Sequence, residues 1–283
     1  MSGVIAVAGL GFTYPGNVAP TLHDVAFNIS PGEVFGFLGP SGAGKSTTQR
    51  ILTGLLTGYT GKVTVLGREI GAWGRDYYER VGVGFESPIA FGGLTLVENL
   101  RYFAHLYRGP TRNPLELLER VGLASDANLP AARMSKGMGV RLNVARALIH
   151  TPEIIFLDEP TSGLDPVGAE HMMSLISDER NAGRTVIVST HDMGLAERIC
   201  DRVAFIVEGR VAQIGVPDQL RRQHGSAAVR LSWPGGQAVF PLMDLADNRE
   251  FHETLRNKPV QSIHSQEAGL ADVFTQLTGR SLT

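Results

Sequence analysis

The sequence predicts an α/β fold: a doubly wound parallel sheet, an inserted block of helices and a small accessory module near the end. Three observations carry that expectation. The block Glu33-Val34-Phe35-Gly36-Phe37-Leu38 runs straight into a glycine-rich turn and then into helix-like residues. Apolar runs at 154–157, 185–189 and 203–207 return later, with a helical stretch after Gly168 between the first two. Short apolar runs bounded by turn residues and separated by helical patterns read as strands of a parallel sheet, whose two faces are both covered.

Taken in order, residues 4–65 show short apolar blocks broken by glycine and proline, the pattern of strands. From Thr95 the period changes. Thr95 and Glu98 have the spacing of a capping box, after which Leu96, Val97, Leu100, Phe103, Ala104 and Tyr107 share one helical face. The run Arg101-Tyr102-Phe103-Ala104-His105-Leu106-Tyr107-Arg108 is therefore read as a packed helix face with solvated ends, not as an RNA-binding surface. Helical patterns recur at 114–121 and 138–149, which makes 87–150 an insertion into the strand–helix alternation. His105, His150 and His171 read as ordinary helix or loop residues. After about Gln223 the periodicity weakens around Gly235-Gly236, so the expected domains are 1–222 and 223–283.

Composition narrows the function. Lys+Arg 26 against Asp+Glu 28 gives a net charge of −2, which supplies no basic excess for bulk binding to nucleic acid. The longest apolar-plus-glycine stretch near the start, residues 3–12, is ten residues long, against roughly 18–20 for a membrane-spanning helix. Ala6-Val7-Ala8 resembles a signal-peptidase site, but no Lys or Arg precedes it, so neither a span nor a secretory signal is expected. The single cysteine, Cys200, excludes an intrachain disulfide, fits a reducing compartment and reads as a small buried hydrophobe.

The chemistry concentrates in two places. Residues 39–47, Gly39-Pro40-Ser41-Gly42-Ala43-Gly44-Lys45-Ser46-Thr47, match G-x-x-x-x-G-K-[ST] between a strand and a helix. Glycines let such a loop turn its amide N–H groups inward as an anion nest, and the following helix aims its positive dipole end at the same place. Lys45 is then expected to reach the β- and γ-phosphates, and the Ser46 hydroxyl to help hold Mg²⁺. Further on, the apolar strand Ile154-Ile155-Phe156-Leu157 ends in Asp158 and Glu159. Asp158 suits a water-mediated Mg²⁺ contact, and Glu159 suits a base for the attacking water. Guanine-reading Asn-Lys-x-Asp is absent: the one Asn-Lys pair continues as Asn257-Lys258-Pro259-Val260.

With these motifs in order, residues 1 to about 220 resemble the nucleotide-binding subunit of ATP-binding-cassette (ABC) transporters. Arg133-Met134-Ser135-Lys136-Gly137-Met138 is similar to the family's LSGGQ signature, Thr161-Ser162-Gly163-Leu164-Asp165 to its D-loop, and His191 to its switch histidine. Tyr14 occupies the place of the aromatic that stacks on adenine. The resemblance implies a P-loop NTPase core with an N-terminal antiparallel β subdomain and an inserted helical subdomain. It further implies ATP and Mg²⁺ as ligands and two cassettes paired head to tail. In that pairing Ser135 and the Gly137 amide of one chain, with Asp165, meet the nucleotide on the other's Lys45.

Two departures stand out. Lys136 and Met138 replace a glycine and the glutamine of the signature, and Glu86 stands where the family has its Q-loop glutamine. Glu86 is expected to keep a Mg²⁺-sensing role. Both variants, and the segment 269–279, resemble the branch that exports drugs, antibiotics, polysaccharides or lipids. The partners implied are a second copy or a paralogue, and transmembrane permease subunits docked beside Glu86 and Pro88 to Leu96, at the cytoplasmic face of the membrane. The competing readings are a soluble ABC ATPase that remodels nucleic acid or ribosomes, and a cassette that binds without hydrolysis. The first lacks the second cassette or long coiled-coil insertion such proteins tend to carry. The second conflicts with the set Lys45, Asp158, Glu159 and His191.

Overall fold

The computed structural model describes residues 3–87, 89–224, 228–266 and 268–279. The chain divides into two compact units, Met1–Ile214 and Gly215–Thr283.

The first unit opens with β1 (Ile5–Phe12), β2 (Leu22–Ile29) and β3 (Val34–Leu38), followed by α1 (Lys45–Leu52), β4 (Thr60–Val65), β5 (Arg68–Glu69) and β6 (Val81–Gly84). The helical insertion contributes α2 (Leu96–Ala104), α3 (Pro114–Arg120) and α4 (Lys136–Leu148). The core resumes with β7 (Ile154–Asp158), α5 (Pro166–Asn181), β8 (Thr185–Thr190), α6 (Met193–Ile199), β9 (Arg202–Val207) and β10 (Arg210–Gly215).

Two sheets result. An antiparallel sheet in the order β2-β1-β4-β5 buries alternate residues, among them Ile5, Val7, Leu10, Val25, Phe27, Val63 and Val65. A second sheet has the order β10-β9-β3-β8-β7-β6, and its pairs β9–β3, β3–β8, β8–β7 and β7–β6 are parallel. β3 and β8 are buried along their whole length, which explains why both read as unbroken apolar runs. Phe27 of the first sheet meets Phe37 of the second edge to face, with centroids 5.1 Å apart, so one core serves both. The antiparallel sheet that the family resemblance implied is present.

The capping box at Thr95 also forms: Glu98 N donates to Thr95 Oγ1 (3.3 Å), and Thr95 N donates to Glu98 Oε2 (2.8 Å). α2 buries Leu96, Val97 and Leu100 but ends at Ala104, so Tyr107 lies beyond it. Tyr107 instead stacks on His150, with centroids 3.9 Å apart. Arg101 and Arg108, the ends of that run, are exposed as expected, and Tyr102 and Leu106 inside it are exposed too. Cys200 is a buried free thiol, as expected, and burial pushes its pKa above the ordinary value.

The second unit holds α7 (Pro217–His224), β11 (Ala228–Trp233), β12 (Gly236–Pro241), α8 (Arg249–Asn257), β13 (Ser262–Gln266) and α9 (Leu270–Thr278). Its antiparallel sheet, in the order β12-β11-β13, buries Val229, Leu231 and Phe240 against Phe251 and Leu255 of α8. α9 packs against α7, and its first turn is held by Asp272 Oδ2 accepting from Gly269 N (2.9 Å).

Candidate active site

The register of the parallel sheet gathers the motifs. Leu38 is level with Thr190, and Asp158 with Ser189. The loops that leave the carboxyl ends of β3, β7 and β8 therefore open at one edge, where open α/β sheets place their ligands.

The loop after β3 is shaped by its backbone. Gly39 has φ 152°, and a Cβ there would lie 2.1 Å from the Ile206 carbonyl oxygen, so only glycine allows this close approach to β9. Lys45 opens α1 and is buried, and its Nζ donates to Gly39 O (2.6 Å) and Pro40 O (3.0 Å). Burial lowers the Lys45 pKa, opposed by the carboxylates of Glu159, Asp158 and Glu86. A cationic side chain held against loop carbonyls, with three carboxylates around it, has its charge ready for an anion that displaces those contacts.

A cleft of about 370 Å³ forms over this loop, lined by Tyr14, Thr21, Ser41, Gly42, Gly44, Lys45, Ser46, Thr47, Glu86, Asp158 and Glu159. The Tyr14 hydroxyl is hydrogen-bonded with Thr47 Oγ1 (3.1 Å), and its ring meets Phe12 edge to face (4.9 Å). Ser46, Glu86 and Asp158 also share the adjoining cleft with Gln49 and Arg50.

The carboxylates are held differently. Asp158 Oδ1 accepts from Ser189 Oγ (2.5 Å), which also lies 2.9 Å from Gln49 Oε1. Glu159 takes φ 49°, in the left-handed region, and its N–H bonds Ser189 O (2.8 Å). Its carboxylate accepts from Thr190 Oγ1 (3.0 Å), from His191 N (3.1 Å) and from His191 Nδ1 (2.8 Å). An ionised carboxylate only accepts, so Nδ1 carries the histidine proton. The Glu159 side chain is 13% exposed and that of His191 is 64% exposed, so the carboxylate is enclosed while the histidine reaches solvent.

Ser135, Gly137 and Asp165 do not line this cleft. Ser135 caps α4 by accepting from Met138 N (3.2 Å), and Asp165 caps α5 by accepting from Gly168 N (3.1 Å). Lys136 is exposed, and its methylene stem packs against Gly163. Ser189 and Thr190, which anchor the two acids, and Gln49, which bonds Ser189, carry no motif signal: they are ordinary polar residues on buried elements. Pro88, named above in the docking segment, lies outside the described residues.

A buried parallel sheet that presents a phosphate-binding loop, a following helix and paired acids at its carboxyl edge defines a P-loop nucleoside triphosphatase. Residues 22–162 match the ABC transporter family, and residues 227–267 match the family described as fluoroquinolone efflux ABC transporter C-terminal domain. The chain is 50% identical over 285 residues to the fluoroquinolones export ATP-binding protein of Mycobacterium tuberculosis (strain ATCC 25618 / H37Rv), covering 99% of this chain and 95% of that one. It is 33% identical over 282 residues to the Nod factor export ATP-binding protein I of Rhizobium sp. (strain N33), covering 92% and 93%. A solved ATP-binding subunit of an ABC transporter superposes with TM-score 0.70 at 30% identity, over 77% of this chain and 92% of that one. A dimeric ATP-binding cassette in a post-hydrolysis state bound to ADP and Pi gives TM-score 0.69 at 28% identity, over 75% and 98%.

The chain belongs to the ABC transporter ATP-binding family. It is the ATP-hydrolysing subunit of an ABC transporter of the exporter kind, and the soluble remodelling alternative finds no support among these relatives. No helix among the described residues is long and apolar enough to cross a membrane.

Proposed function

We propose that the chain works as a dimer at the cytoplasmic face of the membrane and drives drug export, of the fluoroquinolone class, through separate transmembrane subunits. The observation that carries this is the 50% identity along the whole chain to a fluoroquinolones export ATP-binding protein, joined by the match of 227–267 to the efflux-transporter C-terminal domain.

In this reading the backbone N–H groups of Ser41, Gly42 and Gly44 and the Lys45 ammonium hold the β- and γ-phosphates, and Tyr14 stacks on adenine, with Thr47 fixing its hydroxyl. Ser46, Glu86 and Asp158 offer the hard oxygen donors that Mg²⁺ prefers, and that ion would neutralise charge between the phosphates. Glu159 orients the attacking water and takes its proton, and His191 steadies that carboxylate while reaching toward the γ-phosphate. Ser135, Gly137 and Asp165, away from their own cleft, serve the nucleotide of a second copy. That arrangement makes hydrolysis depend on closure of the dimer, which is how nucleotide energy becomes motion at the membrane subunits.

The test is purification of the tagged chain from gently solubilised native membranes, followed by drug efflux from cells that carry it. A polytopic membrane protein retained stoichiometrically, together with fluoroquinolone efflux that Glu159→Gln abolishes, is the expected result. Retention of soluble proteins alone would sink the exporter assembly. Efflux of other compounds but not fluoroquinolones would leave the assembly and correct the cargo.

A further inference from the structure

The outer edge of the parallel sheet is closed by side chains. β6 is the last strand of its sheet, with β7 as its one strand neighbour among the described residues. On the other side His150 Nε2 donates to Val81 O (3.0 Å), Arg146 Nη2 to Val83 O (3.1 Å) and Asn143 Nδ2 to Phe85 O (2.6 Å). The acceptors are alternate residues, so they share one edge of the strand. The donors at 143, 146 and 150 have the i, i+3, i+7 spacing of one helix face, carried by α4 and the residues just beyond its end.

This contact is tight and specific. A Cβ on Gly82 would lie 2.0 Å from the Ala147 carbonyl oxygen, so glycine is required for the helix to come this close. Arg146 Nη2 also donates to Asn143 Oδ1 (2.8 Å), and its guanidinium lies over the rings of Phe103 (5.0 Å) and Phe85 (5.7 Å). Slippage of α4 along β6 would strand buried carbonyls and the Asn143 amide without partners, which holds the two elements in one register.

Each element ends at the ATP chemistry. β6 leads through Phe85 to Glu86, which lines the cleft beside Ser46 and Asp158. α4 begins at its cap, Ser135. We propose that Asn143 and Arg146 are positioning residues that lock the Glu86 loop to the signature helix. A change felt by Glu86 in one nucleotide cleft is then delivered as displacement of Ser135, which completes the other. The inference rests on the reading of Ser135 as a contact to the second copy's nucleotide. Neither Asn143 nor Arg146 touches the nucleotide: they act through the two groups that do.

A double-mutant cycle on the full-length chain tests this by steady-state ATPase kinetics. Asn143→Leu keeps the number and branching of side-chain heavy atoms and removes the donor. It is expected to lower kcat roughly five- to tenfold, with the KM for ATP held within about twofold. In a Ser135→Ala background the same substitution is expected to cost less than about twofold, because the group it positions is already gone. Losses that multiply in the two backgrounds, an unchanged kcat, or a loss expressed in KM would each overturn the proposal. A Ser135→Ala chain with undiminished kcat would instead remove the composite-site reading on which it stands. If Asn143→Leu lowers the thermal midpoint too far to assay, Arg146→Lys, which loses the fork to Val83 O and Asn143, goes through the same cycle with the same expected outcomes.

Discussion

Glu159 is held in a backbone conformation that side-chain-bearing residues seldom adopt, with φ 49°. Such strain persists only where the surroundings over-determine it, and here three donors from Thr190 and His191 converge on its carboxylate. Thr190 is itself held in place, since its Oγ1 also accepts from Asp192 N (3.0 Å) at the cap of α6. The residue at 190 therefore sets where the Glu159 carboxylate sits, the group proposed to take the proton of the attacking water. Glu159→Gln is expected to lower turnover by roughly 10²–10⁴, the range for loss of a positioned base. Thr190→Val removes one anchor and leaves the carboxylate in place, so a smaller fall of about tenfold in kcat is expected, consistent with one lost hydrogen bond to a charged group. Steady-state ATPase assays beside nucleotide-binding titrations separate the two: both variants should bind ATP as the parent does. A Thr190→Val chain with full turnover would show that the two His191 contacts suffice to hold the base.

The elements show where sequence reading reaches and where it stops. That Lys45, Asp158 and Glu159 share one cleft was legible because residue type and local spacing carry that signal, and β3 and β7 were legible because burial on both faces leaves an unbroken apolar run. Asn143, Arg146 and His150 were not, because each acts on a strand some sixty residues earlier in the chain (58, 63 and 69 positions away), a pairing that only the folded contact reveals. His150 read as ordinary, yet it is buried, stacked on Tyr107 and bonded to Val81 O. In the second unit β12 buries only Phe240 and the helix α8 buries no residue fully, which is why its periodicity read as weak.

His150 also carries a pH signature for this element. Burial pushes its pKa from 6.5 down to about 4, outweighing the opposing pull of the Val81 carbonyl and Glu79, with Arg112 adding to the depression. The folded state therefore keeps the ring neutral where the unfolded chain takes up a proton. Stability from this residue is complete above about pH 6.5 and is lost as pH falls toward 4. Between pH 7 and pH 5 the loss is about 2 kcal/mol. His150→Gln can still donate to Val81 O but does not titrate. Denaturant melts at the two pH values should show the parent losing about 2 kcal/mol more than this variant. Parallel losses would mean that His150 is protonated in the folded state as readily as in the unfolded one.

At the scale of the molecule, the separation of Ser135 and Asp165 from the cleft that holds Lys45 is the feature with the largest consequence. In the proposed composite site Ser135, exposed at the start of a helix, and the phosphate loop elsewhere in the same unit each supply half of what a γ-phosphate needs. A symmetric pair of chains can join the halves twice, one site on each side of the two-fold axis. That arrangement makes a sharp prediction for mixtures. A Lys45→Ala chain keeps its signature serine, and a Ser135→Ala chain keeps its phosphate loop, so each alone forms dimers in which both sites are broken. In a mixed dimer one site combines the intact Lys45 of one chain with the intact Ser135 of the other. Half of the dimers in an equimolar mixture are mixed, and one of their two sites is whole, so activity should recover to about a quarter of the parent's if the sites turn over independently. ATPase assays on the two variants separately and after equilibration together read this directly. No recovery on mixing, from variants that each dimerise, would mean either that both sites must be intact before one can turn over or that Ser135 does not act across the interface. An equimolar mixture of the parent chain with the Lys45→Ala chain tells these apart: independent sites leave about half of the parent's activity, whereas a requirement for two intact sites leaves about a quarter.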